Sequence, residues 1–190
     1  MLMKIAQWLT AAILSDLQDE QQRLLYEYGC ELWLYTVSST LGLFLIGVLL
    51  GAPLETVTLI AIFYLCQSNG GGYHASTHMK CFLTMVCGLL VGLLIIRIPG
   101  IDPLLLIACT ISILLLLAFP LCLHPNKQYL KGSVQRLKLR SRLITSGIVI
   151  GIVGLRIFEG ERLFLAGCSA VFLSAVSRLI AASKYLKDSP

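Results

Sequence analysis

Apolar residues run through this chain in long blocks, broken by short polar stretches. Runs such as Leu41–Leu50, Leu104–Phe119 and Gly147–Val153 hold almost no polar side chains. They lack the apolar/polar alternation of a barrel strand, so they read as helices. Six segments emerge, at 32–50, 54–66, 82–98, 101–121, 143–158 and 163–182. Crossing roughly 30 Å of hydrocarbon takes about 20 helical residues. By that measure the first, fourth and sixth segments span outright, and the third and fifth are slightly short. The second ends after thirteen residues at Gln67-Ser68-Asn69-Gly70. It predicts local bilayer thinning, or a following loop drawn below the membrane surface. Turn residues at Gly51-Ala52-Pro53, at Pro99-Gly100-Ile101-Asp102-Pro103 and at Glu159-Gly160-Glu161 mark the reversals.

Ahead of the first segment the pattern changes. Ile5, Trp8, Leu9, Ala12, Ile13 and Leu17 recur at helical spacing, with Lys4, Ser15, Asp16 and Asp19 elsewhere on the wheel. A secretory signal would carry an unbroken apolar run, but Gln7 interrupts this one and acids follow at once. Residues 1–28 therefore predict an amphipathic helix lying in the membrane interface.

Composition agrees with lipid as the solvent. The 190 residues are 57% hydrophobic and 13% charged, with a mean hydropathy of +0.84. A soluble domain of this length would leave too much of that surface facing water. In hydrocarbon every backbone polar group must be paired within the chain, which admits helices or closed barrels. The expected fold is all-α: one polytopic membrane domain over 1–190 with about six transmembrane segments, the second short.

The net charge of +5 is unevenly placed. Lys127, Lys131, Arg136, Lys138, Arg140 and Arg142 crowd one stretch without an acid among them. Tyr129 is the lone aromatic residue in that stretch, short of the interleaving a nucleic-acid surface would require, so nucleic acid is not an expected partner. A basic loop over 122–142, next to anionic lipid, accounts for the charge. With six spans, this loop shares a side with Lys4, Arg23, Lys80, Lys184 and Lys187, whereas Arg97, Arg156 and Arg162 face the other way. The positive-inside rule then puts both termini and the 67–81 loop in the cytoplasm.

The chemistry concentrates in that 67–81 loop. Polar and ionisable groups clustered at a membrane boundary are costly and point to function. Gly70-Gly71-Gly72 permits positive φ and close backbone approach, and the N–H groups of Gly71 and Gly72 are candidate oxyanion donors; a flexible connector explains the glycines as well. His74 and Cys81 add a candidate base and nucleophile, since an imidazole can take a thiol proton and stabilise the thiolate. Lys80 supplies positive potential beside Cys81, as would a helix beginning there. On one straight helix His74 would lie about 10.5 Å along the axis from Cys81. A dyad therefore requires a break between Gly70 and Thr77, with Ser76 or Thr77 as the N-cap of the next helix. His78, three residues before Cys81, is the rival base. Asn69, Gln67 and Asn126 are candidates to orient the imidazole. The remaining six of the seven cysteines lie in or beside apolar segments without CxxC spacing and read as packing.

A metal site is the alternative chemistry. His74, His78 and Cys81 at i, i+4 and i+7 would line one helical face and could hold zinc. Ala75, however, follows His74 where a zinc peptidase places glutamate, and no acid lies between Asn69 and Lys80. No metal or other cofactor is therefore expected. A non-catalytic transporter or scaffold is the third reading, disfavoured by the scarcity of charges along the spans.

Two motifs then give the chain a likeness. Gly71-Gly72-Tyr73-His74-Ala75 with Cys81 seven residues after the histidine, and His124-Pro125-Asn126-Lys127 ahead of the basic loop, resemble the accessory gene regulator B (AgrB) family. The amphipathic start, the short second segment and the length fit too, so the resemblance covers the whole chain. It implies a cysteine endopeptidase of the bacterial cell membrane. Its partner would be an AgrD-like precursor of an autoinducing peptide used in quorum sensing. The enzyme would remove the precursor's C-terminal tail and help close a thiolactone ring, with Cys81 as nucleophile and His74 as base. Lys80, Lys127 and Lys131 are candidate substrate contacts. Gln67 stands where many members carry Arg, and Lys80 is the neighbouring cation. Small-residue faces at Gly42/Gly47 and Gly147/Gly151/Gly154 suit helix packing within the chain or in a homodimer.

Overall fold

A computed structural model describes residues 2–13, 19–73, 75, 77–122, 133–158 and 160–187. Seven helices follow in order: α1 (Leu2–Ile13), α2 (Glu20–Leu49), α3 (Pro53–Gly70), α4 (His78–Ile95), α5 (Asp102–Ala118), α6 (Ser133–Phe158) and α7 (Glu161–Lys187). No strand occurs among the described residues. Helices α2 to α7 match the six expected segments one for one, and the fold is that of a polytopic all-α membrane protein.

Their lengths depart from expectation in instructive ways. The fifth segment is not short, because α6 begins at Ser133 and runs for 26 residues, whereas α4, at 18 residues, stays slightly short as expected. Both, with α2 and α7, are still long and apolar enough to cross a membrane. The fourth is shorter than expected: α5 stops after 17 residues at Ala118. Pro120 is the cause, since a proline drives the residue before it out of the helical region, and Phe119 sits at φ −114°, ψ 70°. The carbonyls freed there find partners on α6. Ser141 Oγ donates to Pro120 O at 2.7 Å, and Arg142 Nε donates to Leu117 O at 3.1 Å. Arg136, Lys138, Arg140 and Arg142 thus ride on a helix rather than in the expected 122–142 loop.

The chain forms two compact units, Met1–Ile46 and Gly47–Pro190. In the first, Leu9 of α1 meets Leu25, Tyr26, Gly29, Cys30 and Trp33 of α2 around a crevice of about 340 Å³. Trp8 is 69% exposed on the outer side of α1, as an amphipathic helix requires. The expected 1–28 helix is divided: α1 ends at Ile13, and residues 20–28 open the long α2.

The second unit is built around α7. Of its membrane-length window 56% is buried, against 22% or less in the other three spanning helices. Ala166, Cys168, Ser169, Ala170, Ser174, Ala175 and Ala181 are buried along it. Side chains this small let neighbouring backbones approach where no hydrophobic force gathers helices, and α7 touches α3, α4, α5 and α6. The core joins Cys168, Val171 and Ala175 to Cys66, Cys109, Leu116 and Ile152. Away from α7 the helices turn large apolar side chains outward, among them Leu94, Leu104, Leu114 and Ile150, the surface hydrocarbon demands. Hydroxyls within the helices donate back one turn, as Ser112 does to Ala108 O at 2.7 Å and Ser174 to Ala170 O at 2.8 Å.

Candidate functional site

The segment joining α3 to α4 is broken where the chemistry would need it. Gly71 leaves α3 with φ 74°, ψ 172°, and its N–H donates to Gln67 O at 2.9 Å. Positive φ alone favours glycine here. Space does too: a Cβ on Gly71 would lie 2.8 Å from Cys122 O. Cys122 N in turn donates to Gly70 O at 2.8 Å, so the chain after α5 is laid against the end of α3. A Cβ on Gly70 would collide with the Arg178 guanidinium, and one on Gly72 with the Gln67 amide. Gly71 is therefore required by its backbone, whereas Gly70 and Gly72 are packed against the ends of long side chains, and the Gly71 amide is committed to ending its own helix.

Thr77 begins the next helix. In extended conformation at φ −137°, ψ 152°, its Oγ1 accepts from Lys80 N at 3.3 Å, an N-cap bond. Cys81 N donates to Thr77 O at 2.9 Å, the first backbone turn of α4. Cys81 is thus on the first turn, half-buried, at the end where helix dipoles concentrate positive potential. Residues 71–73, 75 and 77 are not helical, so no continuous face carries positions 74, 78 and 81 together. That removes the geometry on which the zinc alternative rested.

Beneath the break lies α7. Ser177 Oγ accepts from Tyr73 N at 3.1 Å and from Gln67 Nε2 at 2.6 Å. Arg178, 6% exposed, donates from Nη2 to Cys66 O at 3.2 Å and from Nη1 to Phe119 O at 3.0 Å. Its charge reaches Cys122, though burial dominates there and pushes the Cys122 thiol above its ordinary value. Two turns beyond Ser177, Lys184 Nζ lies 5.6 Å from the centre of the Tyr73 ring. The apolar pattern of the last segment singles out neither Ser177 nor Arg178. The available signal was an arginine inside an apolar segment, which needs local partners.

The remaining candidates divide into placed and unplaced. His74, Asn126, Lys127 and Lys131 lie outside the described residues. Gln67 turns to Ser177, and the Asn69 amide donates to Leu65 O at 2.9 Å and Ser68 Oγ at 3.0 Å, on its own helix. His78 and Lys80 are exposed on the first turn of α4 beside Cys81. Comparison with known protein families matches residues 2–179 to accessory gene regulator B. No curated protein and no solved structure matches the chain.

Proposed function

Because the chain belongs to the accessory gene regulator B family, we propose that it is a cysteine endopeptidase that processes an AgrD-like autoinducing peptide precursor at the bacterial cell membrane. The observation that carries this reading is the helix break between Gly70 and His78. It replaces a straight two-turn separation with a bend, and it sets the Cys81 thiol at the start of a helix.

In the proposed reaction His74 takes the Cys81 thiol proton and the thiolate attacks the carbonyl carbon preceding the precursor's tail. The carbon–nitrogen bond breaks, the imidazolium returns the proton to the departing amine, and a thioester joins the precursor to Cys81. A precursor cysteine then attacks that thioester, the Cys81 sulfur leaves and regains a proton, and a thiolactone closes. Exchange keeps one thioester throughout, so water must be held off the acyl-enzyme. With the Gly71 amide committed, oxyanion donors are sought at Gly72 and near the N-terminus of α4, apart from the Lys80 and Cys81 amides that Thr77 already holds. Lys80, Lys127 and Lys131 are the proposed contacts to the precursor, and the loop and both termini are assigned to the cytoplasm. A Cβ at Gly147, Gly151 or Gly154 would meet nothing within 4 Å, so this open face of α6 is the proposed seat of a second copy.

Coexpression of a precursor with wild type, Cys81→Ala, His74→Ala and His78→Ala, each with and without a chelator, tests the reading. Cleavage is expected in wild type and His78→Ala, absent in Cys81→Ala, and lowered by roughly 10²-fold or more in His74→Ala. Cleavage by Cys81→Ala rejects the peptidase, and loss on chelation restores the metal alternative.

A further inference from the structure

Residues 70 to 73 are held more tightly than a connector needs to be. Cys122 N binds Gly70 O, Gly71 N binds Gln67 O, and Tyr73 N binds Ser177 Oγ. No side chain separates this stretch from the groups beneath it, since Arg178 and the Gln67 amide fill the spaces where Cβ atoms of Gly70 and Gly72 would stand. Ser177 also receives the Gln67 amide at 2.6 Å, so one hydroxyl ties the last turn of α3 to the backbone beyond it. Arg178, next along α7, fixes that hydroxyl's height by binding carbonyls at the ends of α3 and α5. The Lys184 ammonium lies over the Tyr73 ring from the same face of α7, seven residues on. The anchored stretch ends at Tyr73, one residue before His74.

We infer that Ser177 is a positioning residue for the His74 imidazole, fixing through the Tyr73 N–H the point from which the His74 backbone departs. The inference rests on the reading of His74 as base for Cys81. It follows from geometry: the residue directly before the base is held to α7 by a hydrogen bond, and misplacing a reacting group by about 1 Å can cost 10²-fold in rate. Ser177 does not touch the thiol, so its effect must appear through His74.

Iodoacetamide alkylation of Cys81 in the full chain, read by mass spectrometry on the Cys81 peptide, separates the possibilities without needing the precursor. An imidazole partner speeds alkylation of a thiol near neutral pH, whereas strong alkali makes any accessible thiol reactive without one. His74→Ala is expected to lose the near-neutral reactivity and keep the alkaline rate. Ser177→Ala should lower the near-neutral rate on the order of tenfold, also with the alkaline rate intact, and Ser177→Thr, which keeps the accepting hydroxyl, should restore it. A wild-type profile in Ser177→Ala while His74→Ala loses reactivity overturns the inference and leaves the dyad standing. Equal loss in Ser177→Thr and Ser177→Ala, or a fall at every pH, also overturns it by pointing to packing. A wild-type profile in His74→Ala removes the dyad itself, and with it the premise.

Discussion

Cys122 and Arg178 meet where the ends of α3 and α5 converge on α7, and the charge of one acts on the thiol of the other. Burial raises the Cys122 thiol above 9.0, while the nearby Arg178 charge acts in the opposite direction. A thiol whose folded value is raised keeps its proton where the unfolded chain has lost it. Its contribution to stability is complete below the unfolded value and disappears as pH rises through the folded one. Cys122 should therefore need a higher pH than an exposed thiol to alkylate rapidly. Arg178→Met removes the one opposing influence and should move the profile further up. A pH series of Cys122 peptide labelling checks this; a downward move in Arg178→Met would mean that the arginine shields the thiol chiefly by packing. The same residue shows what a linear reading hides. Arg178 lies more than a hundred positions from Gly70, the glycine it packs against, and nothing local to either predicts their meeting. Gly70-Gly71-Gly72 looked like freedom for a bound carbonyl, yet each glycine answers a particular close approach.

At the level of elements, what could be read from the chain is what local chemistry determines. Thr77 announces an N-cap and the glycine run announces a helix end, so the break ahead of Cys81 was legible before any coordinates. Apolar blocks placed six helices, but blocks report lipid contact rather than hydrogen bonding, and helices run on past them. Ser133 to Arg142 is helical although strongly basic, because its charges point outward while Ser141 and Arg142 cover the carbonyls that Pro120 leaves open. The Thr77 cap gives a direct test. At 3.3 Å its bond is long, so Thr77→Ala should cost about 0.5–1 kcal/mol, the lower part of the usual range. The loss should be local, raising amide exchange over residues 78–81 while α7 keeps its protection, and Thr77→Ser should behave as wild type. Unchanged exchange at the start of α4 would show that Cys81 is held by something other than its cap.

For the whole molecule, the arrangement of α3 to α7 reverses the usual association of apolarity with burial. The most buried of the spanning helices is the one rich in alanine and serine, and the largest apolar side chains point outward. That follows if hydrocarbon surrounds the bundle, because leucine then gains little by turning inward and close backbone approach decides which helix is central. Substitutions at two positions separate this picture from that of a water-soluble bundle. Ala170 is 0% exposed on α7, and Ala170→Leu forces extra methylenes into a filled site, with an expected loss of about 1–3 kcal/mol. Ile150, 74% exposed on α6, should tolerate Ala within about 0.5 kcal/mol, whereas Ile150→Asp should cost roughly 2.5–3.5 kcal/mol of insertion free energy near the middle of a span. In water the order at position 150 would reverse, since aspartate on an exposed face meets no desolvation cost and relieves an apolar patch. Membrane insertion of the three variants, with folded yield after mild detergent extraction, decides between them. Efficient insertion of Ile150→Asp would place that face of α6 against protein or water, and the open face at Gly147, Gly151 and Gly154 would then be the first surface on which to look for its cover.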